Sequence, residues 1–152
     1  MPSSRSITVL EGTQGEAEFG ITSDEAYVAS AQTACMQCGV TIEAICIYCQ
    51  SGTDIETGDP MARFTVSNIW AMDDALAAQL ELWPYFKPIE FGCAAGDYAN
   101  HCPHCGAPQE DYLLHDEPGD IFFAPSQAKH GLIEFAPLAG RIQLSGDFSC
   151  QV

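Results

Sequence analysis

Three cysteine pairs carry the chemistry of this sequence: Cys35/Cys38 in "CMQCG", Cys46/Cys49 in "CIYCQ" and Cys102/Cys105 in "CPHCG". Each pair has the C-x-x-C spacing, and Cys93 and Cys150 stand apart from them. Two thiolates three residues apart in a tight turn converge on one point, where N–H groups of the turn can hydrogen-bond the sulfur charge. Two such knuckles supply the four ligands that zinc takes tetrahedrally at roughly 2.3 Å. The first and third pairs end in Cys-Gly, and glycine admits the positive-φ backbone that lets a turn wrap a metal. The middle pair ends in Cys-Gln. The favoured ligand set is therefore Cys35, Cys38, Cys102 and Cys105 around one structural zinc ion. A local rival exists, because the seven residues between Cys38 and Cys46 could form a tight hairpin that joins the first two pairs. Cys46 and Cys49 are also candidates for a second site, with Cys93, Cys150, His101 or His104 as further ligands. Without such a role, a cysteine is a small buried hydrophobe.

Other chemistry is sparser. "LLHDEPGD" groups His115, Asp116, Glu117 and Asp120, a set that could bind a metal or move protons. Its plain alternative is a solvated turn. His101, His115 and His130 have no visible acid–base partner. P-loop, nucleophile-elbow and H-E-x-x-H patterns are missing from the sequence. A closed four-cysteine site has no open position for water, so it folds a chain rather than catalysing. The expectation is thus a zinc-stabilised protein-interaction module rather than an enzyme, with a metal-dependent enzyme at the His115 cluster as one alternative. A redox dithiol opens a helix after a strand in a βαβ unit, a context that none of the three pairs has. Iron shares the four-thiolate ligand set with zinc, so an iron redox centre is the other alternative.

Charge narrows the partners. The 152 residues carry 21 acids against 5 bases, a formal net charge of −16. Nucleic-acid backbones are held by Lys and Arg that release counterions, and five bases cannot form such a stripe. Anionic membrane surfaces are disfavoured for the same reason, whereas a protein partner with a basic surface fits. Four thiolates add −4 and a divalent ion +2, so a closed site takes the formal −16 to about −18 and does not restore a nucleic-acid reading. Residues 1–10 hold one Arg and no apolar run of signal-peptide length, and no stretch approaches the ~18 apolar residues of a membrane span. A soluble, cytoplasmic chain is expected. In a reducing compartment eight cysteines point to metal before disulfides.

The elements that must position these residues read as follows. With 47% hydrophobic residues, the chain can bury the core of one domain. Residues 1–24 are expected to be a flexible or partly ordered arm, and 25–152 a single domain. Strands are expected over 25–35 and 40–49, where Val40, Ile42, Ala44 and Cys46 share a face. Residues 51–60 read as a loop and 62–70 as a further strand. The clearest helix is 73–83, acidic at its start, with Met72, Leu76, Leu80 and Trp83 on one face and Pro84 ending it. Segments 89–94 and 97–102 flank Ala95-Gly96 as a hairpin that delivers Cys102 into a turn. A short helical turn is expected over 109–120, and strand-like pieces over 120–125, 132–138 and 140–148.

The stretch "YANHCPHCGAPQEDYLLHDEPG" (98–119) resembles a group of bacterial zinc-ribbon-like proteins of unassigned function. These follow a C-x-x-C-G segment with a hairpin and then an "NHCPHCGA-Q-D-(F/Y)-(F/L)-L-H-x-E-P" stretch. "CMQCGVTIEAI" (35–45) looks like the first segment, and "SNIWAMDDALAAQL" (67–80) resembles the helix-bearing middle. The resemblance covers about residues 25–120. It implies metal at Cys35, Cys38, Cys102 and Cys105, and no activity. "CIYC" and Cys93 depart from the pattern. The fold expected is α+β and β-rich: a zinc-ribbon-like domain with one amphipathic helix inserted between two C-x-x-C knuckles.

Overall fold

The computed structural model describes residues 19–92, 94–111, 114, 122 and 133–150, with the backbone alone at 149 and 150. Three long strands open the chain: β1 (Ile21–Ala34), β2 (Thr41–Asp54) and β3 (Pro60–Met72). One short helix, α1 (Asp74–Gln79), runs into a 3-10 turn at Leu80–Leu82. Two three-residue strands follow, β4 (Phe86–Pro88) and β5 (Tyr98–Asn100). β6 (Glu134–Pro137) and β7 (Ile142–Cys150) complete the set among the described residues.

The main sheet closes on itself. β1 pairs with β2, β2 with β3, β3 with β7 and β7 with β1, every pair antiparallel. β1 gives one whole edge to β2. Its other edge serves two partners in turn, β7 at Ile21–Ser23 and β6 at Tyr27–Ser30. A register shift between Thr22 and Ala26 lies between these two stretches and bends the strand from one neighbour to the next. The product is a small β-barrel, which removes the open edges a flat sheet of this length would expose.

Period-2 alternation decides what fills it. Ala26, Val28, Ile45, Ile47, Cys49, Phe64, Val66, Ile142 and Leu144 point into the barrel core. Their alternates Ala29, Ala31, Ala44, Cys46 and Tyr48 form a second cluster on the outer face, beneath Leu114, Phe122 and Ile133. β2 is thus buried on both faces from Ala44 to Cys49. That explains why its sequence alternates only loosely, since a strand covered twice needs apolar residues at every position. Tyr27, Tyr48 and Phe135 pack edge-on or tilted at ring separations of 5.5–6.3 Å along the same outer face.

α1 is shorter than the 73–83 expected, because the chain tightens into the 3-10 turn at Leu80. Asp73 is its N-cap and accepts from the Leu76 N–H at 2.9 Å. The other carboxylate oxygen of Asp73 accepts from the Gln143 N–H at 3.1 Å, which fixes the helix start against β7. Leu76 and Leu80 enter the barrel core, with Met72 and Trp83 packed beside them.

Several boundaries differ from the sequence expectation. Ile21 to Asp24, placed in the N-terminal arm, begin β1. Residues 51–54 and 60–61, read as loop, are strand, because Ser51, Gly52 and Thr53 pair across to Ala62, Met61 and Pro60. The hairpin after α1 has Gly96 at φ +96° near its turn, but its first arm is β4, so Ile89 to Gly92 and Ala94 belong to the connection. The elements expected over 109–120 and 120–125 lie outside the described residues, apart from 109–111, Leu114 and Phe122. Among the described residues no helix is long and apolar enough to cross a membrane. Among the described residues the named elements are those of a β-rich barrel with one short named helix, α1, beside a cysteine cluster; a zinc ribbon is a more specific architecture than this.

Candidate metal centre

The first knuckle is the turn between β1 and β2. Ala34 pairs with Thr41, and the six residues between them form the loop. The Cys35 N–H donates to the Val40 carbonyl at 2.8 Å, and the Gly39 N–H returns to the Cys35 carbonyl at 2.9 Å. The second knuckle follows β5. The Cys102 N–H donates to the Ala107 carbonyl at 3.0 Å, and the Gly106 N–H to the Cys102 carbonyl at 2.8 Å. Gly39 and Gly106 sit at φ +78° and +79°, a conformation that costs a side-chain-bearing residue roughly 1 kcal/mol or more. The two loops are therefore the same backbone structure built twice.

Their sulfur bonding also matches. Cys35 Sγ accepts from the N–H groups of Gln37 (3.3 Å) and Cys38 (3.4 Å). Cys102 Sγ accepts from those of His104 (3.3 Å) and Cys105 (3.5 Å). Cys35 and Cys102 are buried and pack on Ile42, whereas Cys38 and Cys105 are exposed.

The four sulfurs of Cys35, Cys38, Cys102 and Cys105 all lie within 4.8 Å of one another. Cys35 Sγ stands 3.6 Å from Cys105 Sγ, and Cys38 Sγ 3.7 Å from Cys102 Sγ. A tetrahedron of sulfurs each 2.3 Å from a central ion has edges of about 3.8 Å. These contacts are too long for a disulfide of about 2.05 Å, and the donor set is the soft, charged one that zinc or iron takes. The residues fit a metal ion.

Electrostatics points the same way. Cys35 is drawn down to about 6 by the Cys38 N–H and, more weakly, by Gln37 and Gln109, against the effect of burial. Cys105 is pushed up to about 11: the Ala107 N–H pulls it down, but burial and the sulfurs of Cys35, Cys102 and Cys38 together outweigh that pull. Cys38 is raised in the same way, the Val40 N–H being outweighed by burial and by Cys35 and Cys102. Four sulfurs this close cannot all ionise without a cation among them, and a divalent ion reverses the balance.

A polar framework outside the sulfurs holds the knuckles together. Gln109, 1% exposed, bridges them. Its Oε1 accepts from the Met36 N–H at 2.9 Å, while Nε2 donates to the Ala107 carbonyl at 3.0 Å and to Cys35 Sγ at 3.5 Å. Asn100 anchors the second knuckle to the barrel. Its Oδ1 accepts from the Ile45 N–H at 2.8 Å, and its Nδ2 donates to the Ile45 carbonyl at 2.9 Å. Neither residue was singled out from sequence. The available signal was a polar residue beside each end of the second knuckle. Replacing Gln109 with Ala leaves the Met36 N–H unpaired and removes a bond to sulfur. Metal affinity is expected to fall about 10- to 100-fold, as for other residues that orient ligands, and a competition titration with a chromophoric chelator measures it.

Cys46 and Cys49, the second-site candidates, are not brought together. On a strand, residues three apart face opposite sides. Cys46 lies in the outer cluster and Cys49 in the barrel core. Burial pushes the Cys46 thiol well up, helped by Asp111 and Cys49. Burial likewise pushes Cys49 up to about 12, against a hydrogen bond from Ser23. Both are protonated core thiols, and the local pairing of the first two C-x-x-C segments does not occur. His101 is buried, with Nδ1 2.9 Å from the Ala99 carbonyl and 3.3 Å from that of Tyr85. His104 is exposed at the knuckle tip. Cys93, His115, Asp116, Glu117, Asp120, His130 and the Cys150 side chain lie outside the described residues. Comparison with known protein families, curated proteins and solved structures finds no match to this chain.

Proposed function

We propose that this chain is a small acidic protein stabilised by one structural zinc ion at Cys35, Cys38, Cys102 and Cys105, and that it works as a protein-interaction module. The observation that carries the reading is the pair of matched knuckles, whose four sulfurs converge within 4.8 Å, with two contacts across the knuckles at the edge length of a tetrahedral site. All four positions are protein sulfur, so the ion has no place for water or substrate and its role is to join the β1–β2 turn to the segment after β5. The two knuckles act as a zinc-ribbon-like clasp on the side of the barrel. The same residues support kinship with the bacterial zinc-ribbon-like group.

A basic protein surface is the partner that the charge of −16 favours. Among the described residues most of the acids are exposed, Glu25, Glu56, Asp59, Asp74, Glu81 and Glu90 among them. Leu82 and Phe91 are 79% and 83% exposed, which offers apolar anchors amid that charge. The free, unbridged cysteines among the described residues suit a reducing, cytoplasmic setting.

Native mass spectrometry and an absorption spectrum test the metal. One zinc per chain, lost to chelator or on acidification as the thiolates take up protons, with no visible colour, is expected. A red ferric-thiolate spectrum selects the iron redox reading instead, and a metal-free chain rejects both. The interaction role predicts a partner that binds the zinc-loaded chain and dissociates as salt is raised; salt-independent binding would reject the basic surface.

A further inference from the structure

The four sulfurs are chemically unequal, and the inequality has a pattern. Cys35 and Cys102 are buried at 4% and 2% exposure, and each accepts two backbone N–H bonds. Cys35 takes a third bond from Gln109. Cys38 and Cys105 are exposed, and a single backbone N–H bonds each, from Val40 and Ala107 respectively. With a divalent ion bound all four sulfurs are thiolates; among them hydrogen bonds spread the charge of Cys35 and Cys102 and burial blocks approach to them, so the accessible electron pairs lie on Cys38 and Cys105. Each exposed sulfur has a buried one as near neighbour, and in both contacts that neighbour is on the opposite knuckle: Cys105 with Cys35 at 3.6 Å, Cys38 with Cys102 at 3.7 Å. An accessible thiolate poised beside a second thiol is the arrangement of a redox-sensitive cysteine pair.

We infer that Cys38 and Cys105 are oxidation sites at which a peroxide opens the metal centre, and that the resulting disulfides cross between the knuckles, Cys105 to Cys35 and Cys38 to Cys102. The inference rests on the structural-metal reading above. In the first step the Cys105 thiolate attacks one peroxide oxygen. An S–O bond forms, the O–O bond breaks, and hydroxide leaves into solvent, where a buffer acid protonates it to water. In the second step the Cys35 thiolate attacks the Cys105 sulfenic sulfur. The S–S bond forms, the S–O bond breaks, and a second hydroxide leaves. Two electrons pass from sulfur to one peroxide, and zinc, having no redox chemistry, supplies none. The Cys35–Cys105 separation must close by about 1.6 Å to reach disulfide length. The remaining two sulfurs cannot complete a four-coordinate site, so the ion is released. The new bond spans the same two loops that the ion joined, so the clasp survives its departure in covalent form.

The test uses the full zinc-loaded chain, its metal content confirmed by native mass spectrometry. Brief alkylation with iodoacetamide, mapped by peptide, is expected to label Cys38 and Cys105 roughly tenfold faster than Cys35 and Cys102, and to leave Cys46 and Cys49 unlabelled. Hydrogen peroxide should then release zinc to a chromophoric chelator and give Cys35–Cys105 or Cys38–Cys102 in a non-reducing map. The oxidised chain should melt above the chelated one. Disulfides within a knuckle, Cys35–Cys38 or Cys102–Cys105, or even labelling of all four sulfurs, overturn the inference and leave the structural-metal reading standing. A chain that carries no metal sinks both.

Discussion

Cys102→Ser is expected to strip the metal from the chain and to lower its melting temperature by at least about 10 °C, a shift of roughly 2–4 °C accompanying each kcal/mol in a domain of this size. A serine hydroxyl is a poor ligand for a thiophilic ion, and three sulfurs do not close a tetrahedral site. Metal binding in small zinc domains is worth about 10–16 kcal/mol, as much as the whole net stability of an ordinary domain, about 5–15 kcal/mol. The loss is cushioned here because the barrel core is built from residues such as Ile47, Phe64 and Leu144 that touch no ligand. The variant should therefore keep its strand signal in the cold and melt early. Burial sharpens the effect: Cys102 is 2% exposed, and the His104 and Cys105 N–H groups lose their sulfur acceptor. Thermal melts of wild type and variant, each with and without chelator, give the answer. Chelator should move the wild type and leave the variant unmoved, and an unchanged melting curve in the variant would refute a structural role for the metal.

Asn100→Asp is expected to cost about 3 kcal/mol or more while barely changing the shape of the side chain. β2 pairs with β3 only from Ile47 onward, so the N–H and C=O of Ile45 on that edge face no strand. The Asn100 amide takes both, at 2.8 and 2.9 Å, and so replaces the missing strand neighbour with one side chain. Aspartate keeps the acceptor but puts an oxygen against the Ile45 carbonyl, at a position that is fully buried. An unsatisfied buried carbonyl costs about 1–3 kcal/mol, and a buried unpaired charge costs more. Urea denaturation of the metal-loaded chains measures it. The midpoint should drop with the slope unchanged, and coincident curves would show that the Ile45 bonds contribute nothing.

The first three strands and the helix could be read from sequence because local pattern and tertiary demand agreed there. Asp73 announces the helix start, and Leu76 and Leu80 lie at helical spacing. Where the two demands diverged, the reading drifted. Ser51 to Asp54 look like turn residues, yet they are strand because a neighbouring chain segment pairs with them, and pairing outranks propensity at a strand end. The same conflict separates the cysteine pairs. "CIYC" has the spacing of a knuckle, but Ile47 and Tyr48 are strand formers, and no glycine follows to turn the backbone. Barrel closure through β1 and β7 carries no local mark, since it joins Ile21 to Leu144. Gln109 and Asn100 were invisible for that same reason: their partners at Met36 and Ile45 lie 73 and 55 residues away.

The wide separation of the sulfurs along the chain also sets an order of assembly. Cys38 and Cys102 are 64 residues apart, and Cys35 and Cys105 are 70. Before the strands between them have paired, an ion meets only two of its four final ligands at a time, and chain-closure entropy stands against recruiting the other two. The ion is therefore expected to arrive late, as a lock on a barrel already shut rather than a nucleus for it. Refolding rates that do not change when zinc is present from the start of dilution would bear this out.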